Sequence, residues 1–435
     1  MITCGSIGQH TRLSMATKLE MNYVPAIDYC ESVIDGTHDS PKQVEDGRKL
    51  VTSKNIIGGK LDLENCYNIS EEDFEQINKR SRVYEWDILM SMIGTVGEIC
   101  LLKDEPDYAI KNVGVFRAKN ESDAKWLYYY LTSPSAQYDI YARLRGSTQK
   151  FLPLGELRSF PILKPENEEI KSKIINQLFS IDCLISCKER LNEKVSELIS
   201  TLFRSWFIDF DPVKAKTEGK LPYGMDEETA ALFPDSFVDS ELGRIPAGWT
   251  IGTIHDIAKQ RKDIAKPDVF DDMLPYIGLE HMPRNSIALT EWGVSEGLES
   301  NKFRYSKKDI LFGKLRPYFH KVGPAPLEGV CSTDILVIQS IDEKLGGFLL
   351  PILSSEHFVN FVSGISEGVG LPRTKWEHFK LYKIALPPIE IREKFVSLVD
   401  PMLQIIESSI HESKGLEHAR DALLPRLMSG ELSVS

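Results

Sequence analysis

Hydrophobic residues recur at alternating steps of four and three along two long stretches, the pattern of a helix packed on another helix. The first runs from Pro165 to about Phe207. In the second, which starts at Pro387, the apolar positions recur 221 residues after their counterparts. A helix of about 40 residues would be ~60 Å long, more than one globular domain needs. The predicted helix–helix residues are Ile174, Ile181, Leu184, Leu191, Val195, Leu198 and Leu202, and Phe395, Leu398, Met402, Ile405, Leu416 and Leu423.

Each long stretch follows a segment with mixed strand and helix patterns, and these segments also repeat. Asp87-Ile88-Leu89 matches Asp309-Ile310-Leu311, and Gly146 matches Gly368, both at an offset of 222. The register indicates a tandem duplication of an α+β unit, each copy a mixed α/β domain followed by a long helix. The predicted division is a first domain at 1–163, a helix at 164–210, a connector at 211–236, a second domain at 237–386 and a second helix at 387–435. Residues 1–22 show no clear pattern.

Composition narrows the class of protein. At 435 residues the chain is expected to hold two domains or more, and no apolar run is long enough for a membrane span. The seven cysteines are scattered and the start lacks a signal-peptide core, which favours a reduced cytoplasmic protein without a membrane partner. A net charge of −12 argues against a free-standing nucleic-acid binder unless the basic residues cluster on one surface.

Familiar catalytic motifs are missing from the sequence. It contains no phosphate-binding G-x-x-x-x-G-K-[ST] loop, no G-x-G-x-x-G loop after a strand and no Asn/Asp-Pro-Pro-Tyr/Phe turn of a DNA methyltransferase. The histidines and cysteines form no metal-ligand spacing. Glu169-Ile170-Lys171 fits the end of a nuclease motif, but it opens a helix far from Pro106-Asp107. A binding or scaffold protein, with no catalytic residue and no metal, is favoured.

Loops with basic and small polar residues are the candidate nucleic-acid contacts. The loop from Arg143 to Lys150 has no acid, and Arg and Gln can read guanine and adenine edges. Its counterpart, Glu367 to Lys380, is again Gly-rich and then basic. The matching turns SMIGTVG and FGKLRPYFHK carry different polar residues, as two readers of two sequences would, although drift of a surface turn gives the same pattern. The candidates are Thr52, Ser53, Lys54, Asn55, Arg80, Arg82, Ser91, Thr95, Arg143, Arg145, Ser147, Gln149, Lys150, Lys314, Arg316, His320, Lys321, Arg373 and Lys375.

Ordinary structural roles compete with DNA contact at several of these positions. Asn55 could bond to adenine or close a turn on its own backbone. Arg80 and Arg82 could reach phosphates or stabilise the negative end of a helix.

Several motifs resemble the specificity subunits of type I restriction-modification systems. They are DGTHDSPK, LVTSKNI, DILMSMIGTVG and KFLPLGELRSFPI in the first copy, LFRSWFIDFDPVKAK after the first helix, and ELGRIPAGW, LPRTKW, IALPPIEIREKF and LLPRLMSGEL in the second. The resemblance covers nearly the whole chain, although the first copy lacks the IPxGW entry. It implies two target recognition domains that each read half of a split, asymmetric double-stranded DNA sequence. It also implies that the two helices pack as an antiparallel coiled coil and form the spacer.

The resemblance also implies partners and cofactors. Two adenine methyltransferase subunits would dock on the helices, and motor-nuclease subunits would bind that core. S-adenosylmethionine, ATP and magnesium would then bind the partners, and no cofactor would bind this chain. The leading hypothesis is therefore a non-catalytic DNA-specificity subunit. The alternatives are a coiled-coil scaffold that reads no DNA and a cryptic nuclease at Glu169 and Lys171.

Overall fold

The computed structural model describes residues 21–267, 273–368 and 370–432. Residues 1–20, where the sequence shows no clear pattern, lie outside the described residues. The chain separates into two compact units. Unit 1 comprises Met1–Cys183 and Glu417–Ser435, and unit 2 comprises Leu184–Leu416. Each long helix contributes residues to both units.

Unit 1 contains eleven described strands, five short helices and the start of the first long helix. The elements are β1 Met21–Pro25, α1 Ala26–Tyr29, β2 Ser32–Asp35, β3 Arg48–Thr52, β4 Ile56–Ile57, β5 Lys60–Leu61, β6 Tyr67–Ile69, α2 Glu71–Ser81, β7 Ile88–Ser91, β8 Ile99–Leu101, β9 Tyr108–Lys111, β10 Val113–Arg117, α3 Glu121–Thr132, α4 Pro134–Ala142, α5 Leu154–Arg158, β11 Pro161–Pro165 and α6 Glu168–Phe207. The central sheet has the order β2-β10-β7-β8, a second sheet has the order β6-β3-β9, and β1 pairs antiparallel with β11.

The core of unit 1 forms where α3 covers the central sheet. Trp126 and Phe116 are fully buried, and the Trp126 indole donates a hydrogen bond of 2.6 Å to the carbonyl of Leu163. Every residue of β7 is buried, as expected of a strand covered on both faces. Burial of these aromatic and branched side chains fixes the sheet from whose ends the polar loops emerge.

Unit 2 repeats this plan with one larger sheet. The elements are α7 Asp211–Thr217, α8 Glu227–Leu232, β12 Phe237–Ser240, β13 Gly243–Pro246, β14 Thr250–Thr253, α9 Ile254–Ile257, β15 Ala258–Arg261, β16 Ile264–Ala265, β17 Pro275–Ile277, β18 Gly293–Val294, β19 Lys302–Tyr305, β20 Ile310–Gly313, β21 Val322–Pro324, β22 Gly329–Cys331, β23 Ile335–Ser340, α10 Gly346–Leu353, α11 Glu356–Gly364, α12 Trp376–Phe379, β24 Lys383–Leu386 and α13 Ile389–Met428. The sheet with the order β15-β23-β20-β21 corresponds to the central sheet of unit 1, and β16-β19-β22-β17-β18 forms the second sheet.

The two units share topology as well as sequence register. Ser133 caps α4 and Ser355 caps α11, and each serine accepts a hydrogen bond from the backbone three residues on. The pair β1 and β11 corresponds to β14 and β24. The predicted α+β tandem duplication is therefore confirmed.

The long helices run antiparallel. In unit 2 Lys188 pairs with Glu412, and the ring of Phe207 lies 4.9 Å from that of Phe395. A later residue of α6 thus contacts an earlier residue of α13. In unit 1 Arg420 forms an ion pair of 2.9 Å with Asp182. Each helix has 40 residues and is thus about 60 Å long.

The predicted phase of the helix contact is partly wrong. Ile174, Val195 and Phe395 are buried, and Ile181, Leu202, Met402, Leu416 and Leu423 are partly buried. Leu184, Leu191, Leu198, Leu398 and Ile405 are exposed by 51, 43, 51, 39 and 46%.

In several cases the residue one place further along the helix is buried instead, as at Ile185, Ile199, Val399 and Ile406. Each helix also covers a globular core, as where Phe203 lies 6.3 Å from Phe348. The buried face of each helix is therefore rotated relative to the face that packing between the two helices alone would bury.

In the described part of the chain, no single helix is both long and apolar enough to cross a membrane. One pair of helices, Glu343–Leu353 and Glu356–Gly364, reaches that length and composition only when the two are taken together, and the pair is bent by 69°.

Candidate nucleic-acid interface

Three of the loops predicted in the first copy meet in unit 1. The Ser53 hydroxyl accepts a hydrogen bond of 3.1 Å from the backbone N–H of Met92. The backbone of Ile93 bridges to Phe151, and Gly94 N–H donates to the carbonyl of Lys150 over 3.3 Å. The turn at 52–55, the loop at 92–98 and the hairpin segment at 143–151 therefore form one surface, which we name recognition face 1.

Within recognition face 1, the turn at 52–55 has mainly a structural role. Thr52 donates both its N–H and its hydroxyl to the Asn55 side chain, over 2.9 and 2.8 Å. The Ser53 hydroxyl donates to the carbonyl of Asn112 over 2.7 Å, and both Ser53 and Asn55 are buried. The turn thus uses Asn55 to cap its own backbone, and Lys54 is its exposed cation.

Of the two candidates Ser91 and Thr95, the first has a structural role and the second is exposed. Ser91 is fully buried, and its hydroxyl donates to the carbonyl of Thr95 while it accepts from the N–H of Glu98 over 2.9 Å. Its side chain holds the loop closed, whereas Thr95 is exposed.

The hairpin supplies most of the positive charge of recognition face 1. Arg145 and Arg143 bind the two oxygens of Glu156 over 2.9 and 3.3 Å. The hydrogen bond from Arg145 holds the pKa of Glu156 below its usual value. Ser147, Gln149 and Lys150 are exposed. A polyanion that meets this hairpin would compete with one carboxylate for two guanidinium groups.

Arg80 and Arg82 lie at the end of α2, where each has an acidic partner. Arg80 binds the buried Asp35 over 2.9 Å, and Arg82 lies 3.6 Å from Glu105. The sequence reading missed the neighbouring His38, which contacts Asp35 over 3.0 Å and Asn112 over 2.8 Å. Asn112 has a φ of 53°, a left-handed backbone that asparagine adopts more readily than most residues.

The equivalent loops meet in unit 2. Leu315 bridges to Arg373 where Ile93 bridges to Phe151, and Arg316 N–H donates to the carbonyl of Pro372 over 2.8 Å. The loop at 314–321 and the segment at 372–375 form the surface that we name recognition face 2. The tertiary structure therefore assembles the two sets of predicted loops in the same way.

Most cations of recognition face 2 have internal partners. Lys314 donates to the carbonyl of Thr333 over 2.5 Å and Lys321 to that of Leu279 over 2.6 Å, and burial lowers the pKa of both amines. Arg373 binds Asp334 over 3.2 Å, and Lys375 binds Glu367 over 2.5 Å. Burial places Lys314 and Lys321 in supporting roles.

His320 and Arg316 are the two non-glycine residues with left-handed backbone in this loop. Their φ angles are 52° and 49°. The His320 ring contacts the carbonyl of Ser354 over 2.8 Å and so has an internal partner. Beside Arg316 the structure adds residues that the sequence reading missed: Arg284 lies 3.9 Å above the ring of Phe319, and Tyr318 is 53% exposed.

Lys171 belongs to a structural ion-pair cluster in unit 1. Its side chain is buried, bonds to Asp123 and lies 3.0 Å from Glu168. Among the described residues, no group of three or more His, Cys, Asp and Glu side chains could hold a metal ion. The geometry here ties the start of α6 to α3 and offers no support for a nuclease site.

Comparison with known proteins agrees with the duplicated plan. The sequence profile of the family described as "Type I restriction modification DNA specificity domain" matches residues 32–197 and again 246–418. The chain is 28% identical over 321 residues to the type I restriction enzyme MjaIX specificity subunit of Methanocaldococcus jannaschii, covering 72% of this chain and 69% of that protein. It is 23% identical over 343 residues to the HindI specificity subunit of Haemophilus influenzae, covering 68% and 74%.

A solved structure shares the fold. The crystal structure of a type I restriction-modification S subunit from M. genitalium matches with a TM-score of 0.52 at 14% identity, covering 95% of this chain and 98% of that one. Because the family profile matches both copies and together spans well over half of the chain, this protein belongs to the family of type I restriction-modification DNA specificity domains.

Proposed function

We propose that this chain is the DNA-sequence-specificity subunit of a type I restriction-modification complex and that it reads an asymmetric, bipartite target. The observation that carries the proposal is that equivalent scaffolds present different side chains on the two recognition faces. Recognition face 1 offers Arg143, Arg145 and Gln149, whereas recognition face 2 offers Arg316, Arg373 and Lys375. Since each face would contact its own stretch of bases, the two half-sites differ.

The charge distribution supports DNA contact in spite of the acidic total. Both recognition faces carry exposed cations, such as Lys150 on the first and Lys375 on the second, and Lys375 has the exposed acidic partner Glu367. When DNA binds, phosphates can replace such a carboxylate as the partner of the cation. A net charge of −12 is compatible with this role if partner subunits supply much of the phosphate contact.

The exposed apolar residues of the long helices support partner docking. Leu184, Leu191 and Leu198 lie seven residues apart and therefore form a line along one side of α6. Leu398 and Ile405 form the equivalent line on α13. Such lines on a soluble protein mark interaction surfaces. We propose that two adenine methyltransferase subunits dock their own helices here and that motor-nuclease subunits bind the resulting core.

The chemistry of the complex is assigned to the partners. S-adenosylmethionine would serve methylation, and ATP and magnesium would serve the motor-nuclease. The proposed role of this chain is to position them on DNA.

Selection from a pool of randomised DNA duplexes tests the proposal. The full chain, co-purified with a candidate methyltransferase subunit, is expected to enrich one split sequence, and the methyltransferase alone provides the control. Enrichment of no sequence over random DNA would contradict the proposal and favour a scaffold that reads no DNA.

A further inference from the structure

Arg316 stands out on recognition face 2 because its backbone is in a conformation that its residue type disfavours. It has φ 49° and ψ 63°, in the left-handed region that side chains with a Cβ rarely adopt. It also precedes Pro317, and residues before proline prefer extended backbone. In unit 1 the same position is Gly94, with φ 81°, which reaches this region without strain. The second copy therefore holds an arginine where the fold favours glycine.

The surrounding backbone fixes this conformation. Arg316 N–H donates to the carbonyl of Pro372 over 2.8 Å, and the Arg316 carbonyl accepts from Phe319 over 2.8 Å. The preceding Lys314 donates its N–H to the carbonyl of Asp334 over 2.8 Å. Gly94 makes the equivalent bond to Lys150, so the shape of the loop belongs to the scaffold. Strain that the scaffold imposes is tolerated most often where the side chain has a function.

The direction in which a side chain leaves this loop is inferred from Gly94, the counterpart of Arg316 in unit 1. A Cβ built on Gly94 meets no atom within 4 Å, so a side chain attached there would leave the loop into open space. In unit 2 the Arg316 side chain is partly exposed, and its buried Nε–H donates no hydrogen bond to the described residues. By contrast, Lys314, Lys321, Arg373 and Lys375 all have internal partners.

Resting on the proposed function, we propose that Arg316 is the base-reading residue of recognition face 2 and that it reads a guanine in the half-site bound there. An arginine donates two parallel hydrogen bonds to guanine O6 and N7, a pattern that no other base pair offers in the major groove. The centre of the Phe319 ring lies 5.7 Å from the Arg316 guanidinium and 3.9 Å from that of Arg284. Cation–π attraction to this ring therefore helps to hold both guanidinium groups in place. The exposed Tyr318 lies next to them at the loop tip.

Duplex selection with variants of the co-purified complex tests this assignment. Arg316→Gly is expected to lose discrimination at one guanine by about 5- to 150-fold, with the other half-site unaltered. Arg316→Lys should lose the same guanine preference but keep more of the total affinity, because it keeps the charge and loses the two-pronged geometry.

A stability readout separates a reading role from a structural one. Arg316→Gly should raise the melting temperature by about 2–4 °C, because it relieves the left-handed strain. Lys308→Gly is the matched control: Lys308 is also left-handed, with φ 70°, but it lies in the turn before β20, outside recognition face 2. It should raise the melting temperature without changing the selected sequence.

The possible outcomes distinguish this assignment from the proposed function. If the wild-type complex selects a split sequence and Arg316→Gly selects the same one, Arg316 does not read a base, while the proposed function stands. A lower melting temperature in Arg316→Gly beside a higher one in Lys308→Gly would make Arg316 a structural residue and overturn the assignment. If the wild-type complex selects nothing, the proposed function itself fails.

Discussion

The loop between β7 and β8 and the loop between β20 and β21 hold the same left-handed backbone with different residues. In the first loop Gly94 and Gly97 adopt φ angles of 81° and 96°. In the second, Arg316 and His320 adopt 49° and 52°. One copy thus keeps the low-strain residue, whereas the other carries side chains there in spite of the strain. The comparison teaches that the duplicated scaffold preserves backbone geometry while the residues placed on it diverge.

The long helices diverge in a similar way. The exposed line on α6 has three leucines, Leu184, Leu191 and Leu198, whereas the equivalent line on α13 passes from Leu398 and Ile405 to Glu412. Most of the buried positions are apolar on both helices, because they must fill a core in either copy. The two proposed docking surfaces are therefore expected to differ in strength, with the one on α6 the stronger.

The largest effect should come from replacing one whole recognition unit. A chimera in which residues 1–160 come from a relative should bind the original target only at the non-specific level, about 10³-fold or more weaker. Its selected sequence should change in one half-site and keep the other. A change in both half-sites would contradict the assignment of one half-site to each copy.

The next largest effect is expected at the exposed leucines of α6. The double change Leu191→Glu and Leu198→Glu should weaken methyltransferase binding about 100-fold or more, because it removes two apolar contacts and adds charge. Co-purification or calorimetry measures the loss.

Arg190→Glu is the matched control, because it places the same carboxylate on an exposed position of α6 outside the leucine line. Ile405→Glu alone tests the weaker line on α13 and should cost less. Full binding by the double variant would remove the helices as the docking surface.

A smaller effect should separate base reading from phosphate contact on recognition face 1. Arg145→Ala should cost about 5- to 150-fold in discrimination at one base of the first half-site and leave the second unaltered. Lys150→Ala should weaken all sequences alike and reduce the slope of log affinity against log salt by about 1. Binding titrations across a salt series measure both. Equal losses at both half-sites would show that Arg145 acts through the fold.

The smallest effect concerns Gly94, whose counterpart in the second copy is Arg316. Gly94→Ala should lower the free energy of unfolding by about 1 kcal/mol or more, because alanine is strained at φ 81°. Gly155→Ala is the control: it too would meet no neighbouring atom, but it has no left-handed backbone, so it should stabilise by about 0.4–1 kcal/mol. Chemical denaturation measures both. Equal changes would show that backbone strain does not distinguish the two loops.

Much of the architecture could be predicted from the pattern of residues. The first long helix begins at Glu168 and ends at Phe207, inside the stretch marked by the apolar repeat. The offset of 222 placed β7 opposite β20 in the alignment of the copies, and both are buried strands. Local periodicity and capping carry this information because they depend on near neighbours in the chain.

The sequence determined the duplication, the elements and the loops that carry charge, whereas the tertiary structure decided which residues in them are available. Leu184 and Ile185 are both apolar, and only packing against a globular core buries the second and exposes the first. Arg145 and Arg316 are the same residue type in the sequence. In the structure Arg145 pairs with Glu156, whereas Arg316 has a left-handed backbone. Such differences arise from contacts between distant segments, and one-dimensional spacing cannot encode them.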